Sequence, residues 1–73
     1  MPRKIYWVKP SGSVWQVTHG DQILSTHVLK STAVAEGQKV ARANQPSQLR
    51  VMKQDGTFET EYTYGNDPFP PQG

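Results

Sequence analysis

The side chains able to do chemistry in this chain are few and far apart. His19 and His27 are its only imidazoles. A shared metal needs its ligands to converge at about 2 Å from one point. Here one histidine sits beside a turn and the other at the far end of the next extended segment, so both are expected as surface residues. There is no Cys, which excludes thiolate metal sites and disulfides. Nucleophilic catalysis needs a nucleophile, a base and an orienting group. Ser11, Ser13, Ser25, Ser31 and Ser47 fall in turns, a helix cap or a weak strand, and none forms an elbow motif. Glu59 and Glu61 alternate along one strand, with Arg50 placed to pair with Glu61. No Gly-rich phosphate loop precedes a helix. No catalytic residue, metal site or cofactor is expected.

Binding chemistry is better represented. Trp7 shares one face of a predicted sheet with Ile5, Lys9, Val14, Gln16, Thr18, Ile23 and His27. That face is too apolar for a plain solvated surface, so it is either covered or a contact site. An aromatic platform ringed by polar and basic groups can stack the bases of single-stranded nucleic acid. It can equally centre a protein interface, where Trp is enriched. A third occupant is the chain's own end, through Pro68, Phe69 and Pro70. The candidate binding residues are therefore Trp7, Lys9, Val14, Gln16, His27 and Phe69. Lys30, Arg50 and Lys53 are the basic candidates for a nucleic-acid backbone.

The elements that must position these residues follow from periodicity. Ile5 to Lys9 and Val14 to His19 read as strands around a Ser11-Gly12 turn. Gly20-Asp21 is a two-residue hairpin turn leading to a third strand, Gln22 to Val28. These turns put Val8 opposite Trp15, Tyr6 opposite Val17, and Val17 opposite Leu24. Tyr6, Val8, Trp15, Val17, Leu24 and Val28 then form the core face. Next, Ala33, Val34, Gly37, Val40 and Ala41 recur at spacings of three and four, predicting a helix capped by Ser31 or Thr32. Its small-residue stripe implies close approach to the sheet, and Lys39 and Arg42 fall on a solvated face. Asn44-Gln45-Pro46 ends it. Asp55-Gly56 joins Leu49–Lys53 to Thr57–Tyr62 as a hairpin pairing Arg50 with Glu61 and Leu49 with Tyr62. Leu49, Val51, Phe58 and Tyr62 are expected on one side of it.

Size and composition bound what this assembly can be. The 73 residues make one domain with 34% hydrophobic residues, so a single core supplies only marginal stability. Self-association or partner binding is the available supplement. Eight Lys and Arg against six Asp and Glu leave a net charge of +2, which permits a nucleic-acid partner without demanding one. The Met-Pro-Arg-Lys start has no apolar segment behind it, and no apolar run approaches the ~20 residues of a membrane span. A cytoplasmic protein with no membrane contact is expected.

The chain ends in Tyr64-Gly65-Asn66-Asp67-Pro68-Phe69-Pro70-Pro71-Gln72-Gly73. This ending resembles that of the domain of unknown function 2188 family, short proteins of bacteria and phages. Trp7-Val8-Lys9-Pro10 with Trp15 and Val17 are similar to the family's opening hairpin. Ala33 through Gly37 to Val40-Ala41 are similar to its helix. Asn44-Gln45-Pro46-Ser47-Gln48-Leu49 and Asp55-Gly56 are similar to its second half. At the helix start the family pattern is a Thr followed by acidic residues, where this chain has Leu29-Lys30-Ser31-Thr32. The resemblance implies a compact strand-rich domain with one helix. It implies no activity, and so supplies no catalytic residue.

The expected fold is α+β, with an antiparallel sheet: a three-stranded meander, one helix and a C-terminal β-hairpin (βββαββ, or ββαββ if the third strand is lost). Residues 1–64 form the domain and 65–73 a Pro-rich tail, which either straps the domain or presents a polyproline II segment to a partner groove. The C-terminal hairpin either extends the sheet or pairs with another subunit. The expected function is a small non-catalytic protein-interaction module or adaptor, with a homodimer as one form of it. Nucleic-acid binding through the Trp7 face is the alternative.

Overall fold

The computed structural model describes residues 3–65. The elements run β1 (Lys4–Ser11), β2 (Val14–His19), β3 (Gln22–His27), α1 (Lys30–Ala43), β4 (Ser47–Met52) and β5 (Phe58–Tyr64). All five strands lie in one sheet of order β3-β2-β1-β4-β5. The βββαββ order and the α+β class are as the periodicity predicts. The pairing is not wholly antiparallel, because β4 lies parallel to β1, with Tyr6 beside Leu49 and Val8 beside Val51. The meander leaves one flank of β1 open. A 14-residue helix is about 21 Å long. It carries the chain back across β2 and β1, so that β4 enters running the same way as β1. The C-terminal hairpin therefore extends the sheet from its middle.

Helix and sheet meet through small residues. Ala33, Gly37 and Ala41 are the buried positions of α1. They pack over a core of Tyr6, Val8, Val17, Leu49 and Val51. A Cβ on Gly37 would lie 2.8 Å from Leu49 Cδ1 and 3.1 Å from Val8 Cγ2, so the missing methyl sets the helix–sheet distance. Ser47 is fully buried and donates its hydroxyl to the Ala41 carbonyl at 2.5 Å, which satisfies a carbonyl at the helix end. The helix starts at Lys30 with Leu29 as an extended N-cap. Neither Ser31 nor Thr32 caps it. The turn before them is already helical because the Ala33 N–H reaches the Leu29 carbonyl.

Three registers differ from the sequence expectation. The β1–β2 turn is Gly12-Ser13, so Val8 faces Val17 and Tyr6 faces His19. A slip of two keeps every side chain on its predicted face. In β2–β3 the Gly20-Asp21 turn holds, with His19 opposite Gln22. A bulge then inserts Leu24 between Ile23, opposite Thr18, and Ser25, opposite Val17. One extra residue reverses the facing of the remaining strand. Ser25 and His27 therefore join Trp15 on the helix side, and Leu24 and Val28 do not complete the core. Val28 is 76% exposed. In β4–β5, Leu49–Tyr62, Arg50–Glu61 and Val51–Thr60 pair as predicted. A second bulge, at Glu59, puts Phe58 opposite Met52 and hence on the other face from Leu49, Val51 and Tyr62.

Candidate sheet-face binding site

Since α1 covers one side of the sheet, the other side is uncovered among the described residues. Its centre is a row of five side chains, one per strand. Ile23 pairs with Thr18, Thr18 with Trp7, Trp7 with Arg50 and Arg50 with Glu61. Trp7 is half-buried, and its row neighbour Thr18 is only 2% exposed. Thr18 Oγ1 has no hydrogen-bond partner among the described residues. A small hydroxyl flanked by Trp7 and Ile23 is shielded by the larger side chains on either side.

Arg50 lies 5.4 Å from the centroid of the Trp7 ring. This is cation–π range, and most favourable where both groups are partly desolvated. Its Nη2 donates to Gln48 Oε1 at 3.2 Å, and its Nε stands 3.8 Å from Glu61 Oε1. Gln48 Nε2 in turn donates to Thr63 Oγ1 at 3.3 Å. On either side of the row stand Ile5 with Gln48 and Thr63, and Lys9 with Gln16 and Thr26. The exposed ring of Phe58, beside Met52, extends the face at its β5 corner.

Of the predicted site residues, Trp7, Lys9, Val14 and Gln16 share this face, and Arg50 joins them. His27 does not. The Leu24 bulge turns it to the helix side, where it pairs with Trp15 and its Nε2 lies 2.9 Å from Ser25 Oγ. Lys30 is also on the helix side, 5.3 Å from the Trp15 ring centroid and ion-paired with Glu59. Lys53 stands beyond the end of β4 in the β4–β5 turn, too far along to join the Trp7 row. Phe69 lies outside the described residues. Gln48, Glu61, Thr63, Met52 and Phe58 were missed as members of the Trp7 face. The alternation Gln48-Leu49-Arg50-Val51-Met52 gives the facing of the β4 residues, but only the β1–β4 pairing reveals that the C-terminal hairpin shares a face with Trp7.

Among the described residues no three of His, Cys, Asp and Glu come together as a metal site. Nor is any helix there long and apolar enough to cross a membrane. Asp55 lies in the β4–β5 turn. Its carboxylate accepts from the Thr57 hydroxyl at 2.6 Å and the Thr57 N–H at 2.9 Å. Those bonds hold its pKa below the ordinary 3.8.

Fold and site together define a small one-helix α+β domain with a mixed sheet and one uncovered aromatic–arginine face. The chain belongs to the domain of unknown function 2188 family: the model of that family, described as uncharacterized protein conserved in bacteria, matches residues 5–64. The match runs from the second residue of β1 to the last of β5. No curated protein and no solved structure matches the chain.

Proposed function

We propose that this protein is a non-catalytic interaction module that docks another protein on its open sheet face. The observation that carries this is Trp7 at the centre of that face with Arg50 beside its ring. Trp and Arg are the residues most enriched at interface hot spots, and hot spots sit centrally within a ring that excludes water. Ile5, Ile23, Met52 and Phe58 supply apolar area around them. Gln16, Gln48 and Thr63 supply neutral polar groups that can bond a partner without the desolvation cost of charges. A nucleic-acid partner is less well matched. The face carries Lys9 and Arg50 as cations, and Arg50 already faces Glu61. That leaves little to neutralise phosphates.

The test is capture of partners by the tagged full chain from a lysate of its host cell, compared with capture by Trp7→Ala and Arg50→Ala. A protein held by the native chain and lost from both variants, each folded by circular dichroism, is the expected result. Equal capture by all three would overturn the proposal. Light scattering reports whether the partner is a second copy, as a doubled mass that Trp7→Ala abolishes. Oligonucleotide titration at low salt, followed by Trp fluorescence, is expected to give no quenching. A quench that fades steeply with added salt would replace the protein partner with nucleic acid.

A further inference from the structure

On the other side of the sheet, α1 and β5 enclose a groove of about 540 Å³. This lies within the ~300–1,000 Å³ range of ligand sites. Val34, Ala35 and Gln38 of the helix form one wall, and Thr60 and Tyr62 form the other. Lys30 and Glu59, ion-paired, close one end. The strand wall is the edge of the sheet, because β5 is the last strand and has no outer neighbour among the described residues. A groove bounded by a helix and an unpaired strand edge suits an extended peptide. The peptide's backbone would pair with the strand, and alternate side chains would drop into the groove.

We infer that β5 accepts an extended peptide of another protein as a sixth strand, with apolar residues opposite Thr60 and Tyr62 and a basic residue between them, opposite Glu61. Three observations select the edge and the occupant. The Glu59 bulge lies near the start of β5, and Thr60–Tyr64 pairs regularly with β4 beyond it. The Leu24 bulge instead falls inside the six residues of β3 and interrupts that edge. Thr60 and Tyr62 are on the groove side with Leu49 and Val51, and Glu61 is on the opposite side with Arg50. The charged side chains of β5 are both carboxylates: Glu59 is ion-paired with Lys30, and Glu61, 45% exposed, faces Arg50 only loosely at 3.8 Å and so keeps a side open to a further cation. Like charges opposed across strands are unfavourable, which disfavours a second copy of β5 and favours a basic strand.

The probe is a blocked heptapeptide, Thr-Val-Lys-Val-Lys-Val-Thr, titrated into the isotopically labelled full chain by nuclear magnetic resonance. Saturable shifts are expected at the amides of Thr60–Tyr64 and of Val34, Ala35 and Gln38. Replacing the central Val by Pro removes a backbone donor, and replacing both Lys by Glu reverses the charge. Each is expected to weaken binding about tenfold, as is Ala35→Trp, which fills the groove from an exposed helix position. Trp7→Ala is expected to leave the affinity unchanged, so this site and the open face succeed or fail separately. Equal binding by the proline peptide would overturn the inference, as would shifts confined to the Trp7 face. So would movement of the groove amides when residues 66–73 are removed without peptide, since the chain itself would then be the occupant.

Discussion

Arg50 relates to three neighbours at once: the Trp7 ring, the Gln48 amide and, more loosely, the Glu61 carboxylate. Its side chain is 37% exposed and that of Glu61 45%, so solvent screens the ion pair. Exposed pairs contribute about 0–1 kcal/mol. Arg50→Met, which keeps the stem and removes the charge, is expected to change stability by less than about 1 kcal/mol in urea unfolding. Asp55 offers a pH test at the same scale. Its pKa is below 3.8 when folded and ordinary when unfolded, so folding is favoured wherever the carboxylate is ionised. That contribution is complete at neutral pH and is lost as the pH falls through the depressed value. Asp55→Ala is therefore expected to be less stable than the native chain at pH 7. The gap should narrow below pH 3.8, as measured by chemical denaturation across that range. The membership of Trp7, Lys9 and Gln16 in one face was legible from strict alternation. The position of His27 was not, since a bulge depends on how Leu24 meets the twist of its neighbours and leaves no mark in the period.

At the scale of elements, the small stripe of α1 is the part most exposed to substitution. Gly37→Ala would raise helix propensity by about 1 kcal/mol. It would also push a methyl against Leu49 and the stiff, fully buried Val8. Overpacking of this kind costs about 1–3 kcal/mol, so a net loss of up to about 2 kcal/mol is expected in thermal or urea unfolding. Three of the five strands and the helix stripe were readable because each alternates or recurs within its own segment. The third strand was readable only up to its bulge, and the fifth only beyond its own. The helix start was not, because Leu29 caps through its backbone conformation and a side-chain signal is lacking. Asp55-Gly56 also misled at its tip. The turn there closes Lys53 against Thr57, with the Gly56 N–H bonded to the Lys53 carbonyl, and Gly56 takes a φ of +89°. It is one residue longer than the expected two-residue loop, and the Glu59 bulge restores the register.

For the molecule as a whole, the parallel β1–β4 contact joins two hairpins that are each predictable from local sequence. Nothing local encodes it. Its partners Tyr6 and Leu49 are 43 positions apart, and both are buried. What selects it is the need of Leu49 and Val51 for cover, which only α1 and β1 together provide. Leu49→Ala is expected to cost about 2–5 kcal/mol. This is comparable with the ~3–5 kcal/mol that so small a core supplies, so the variant should be largely unfolded by circular dichroism at 25 °C. The fragment ending at Ala43 should be unfolded as well, since the helix then lacks half of its floor.

The central position of β1 also has a consequence for the order of events during synthesis. Of the five strands described, the first in the chain is the one that β2, α1 and β4 all pack against. Its second flank stays bare until β4 exists, so the segment Lys4–Ser11 holds its final neighbours only once Ser47–Met52 has been made. Pairing across so long a separation carries a loop-closure cost before it returns any contact. The acquisition of structure should therefore be a single late step, in which the sheet knits from its middle outward and both edges are the last to settle.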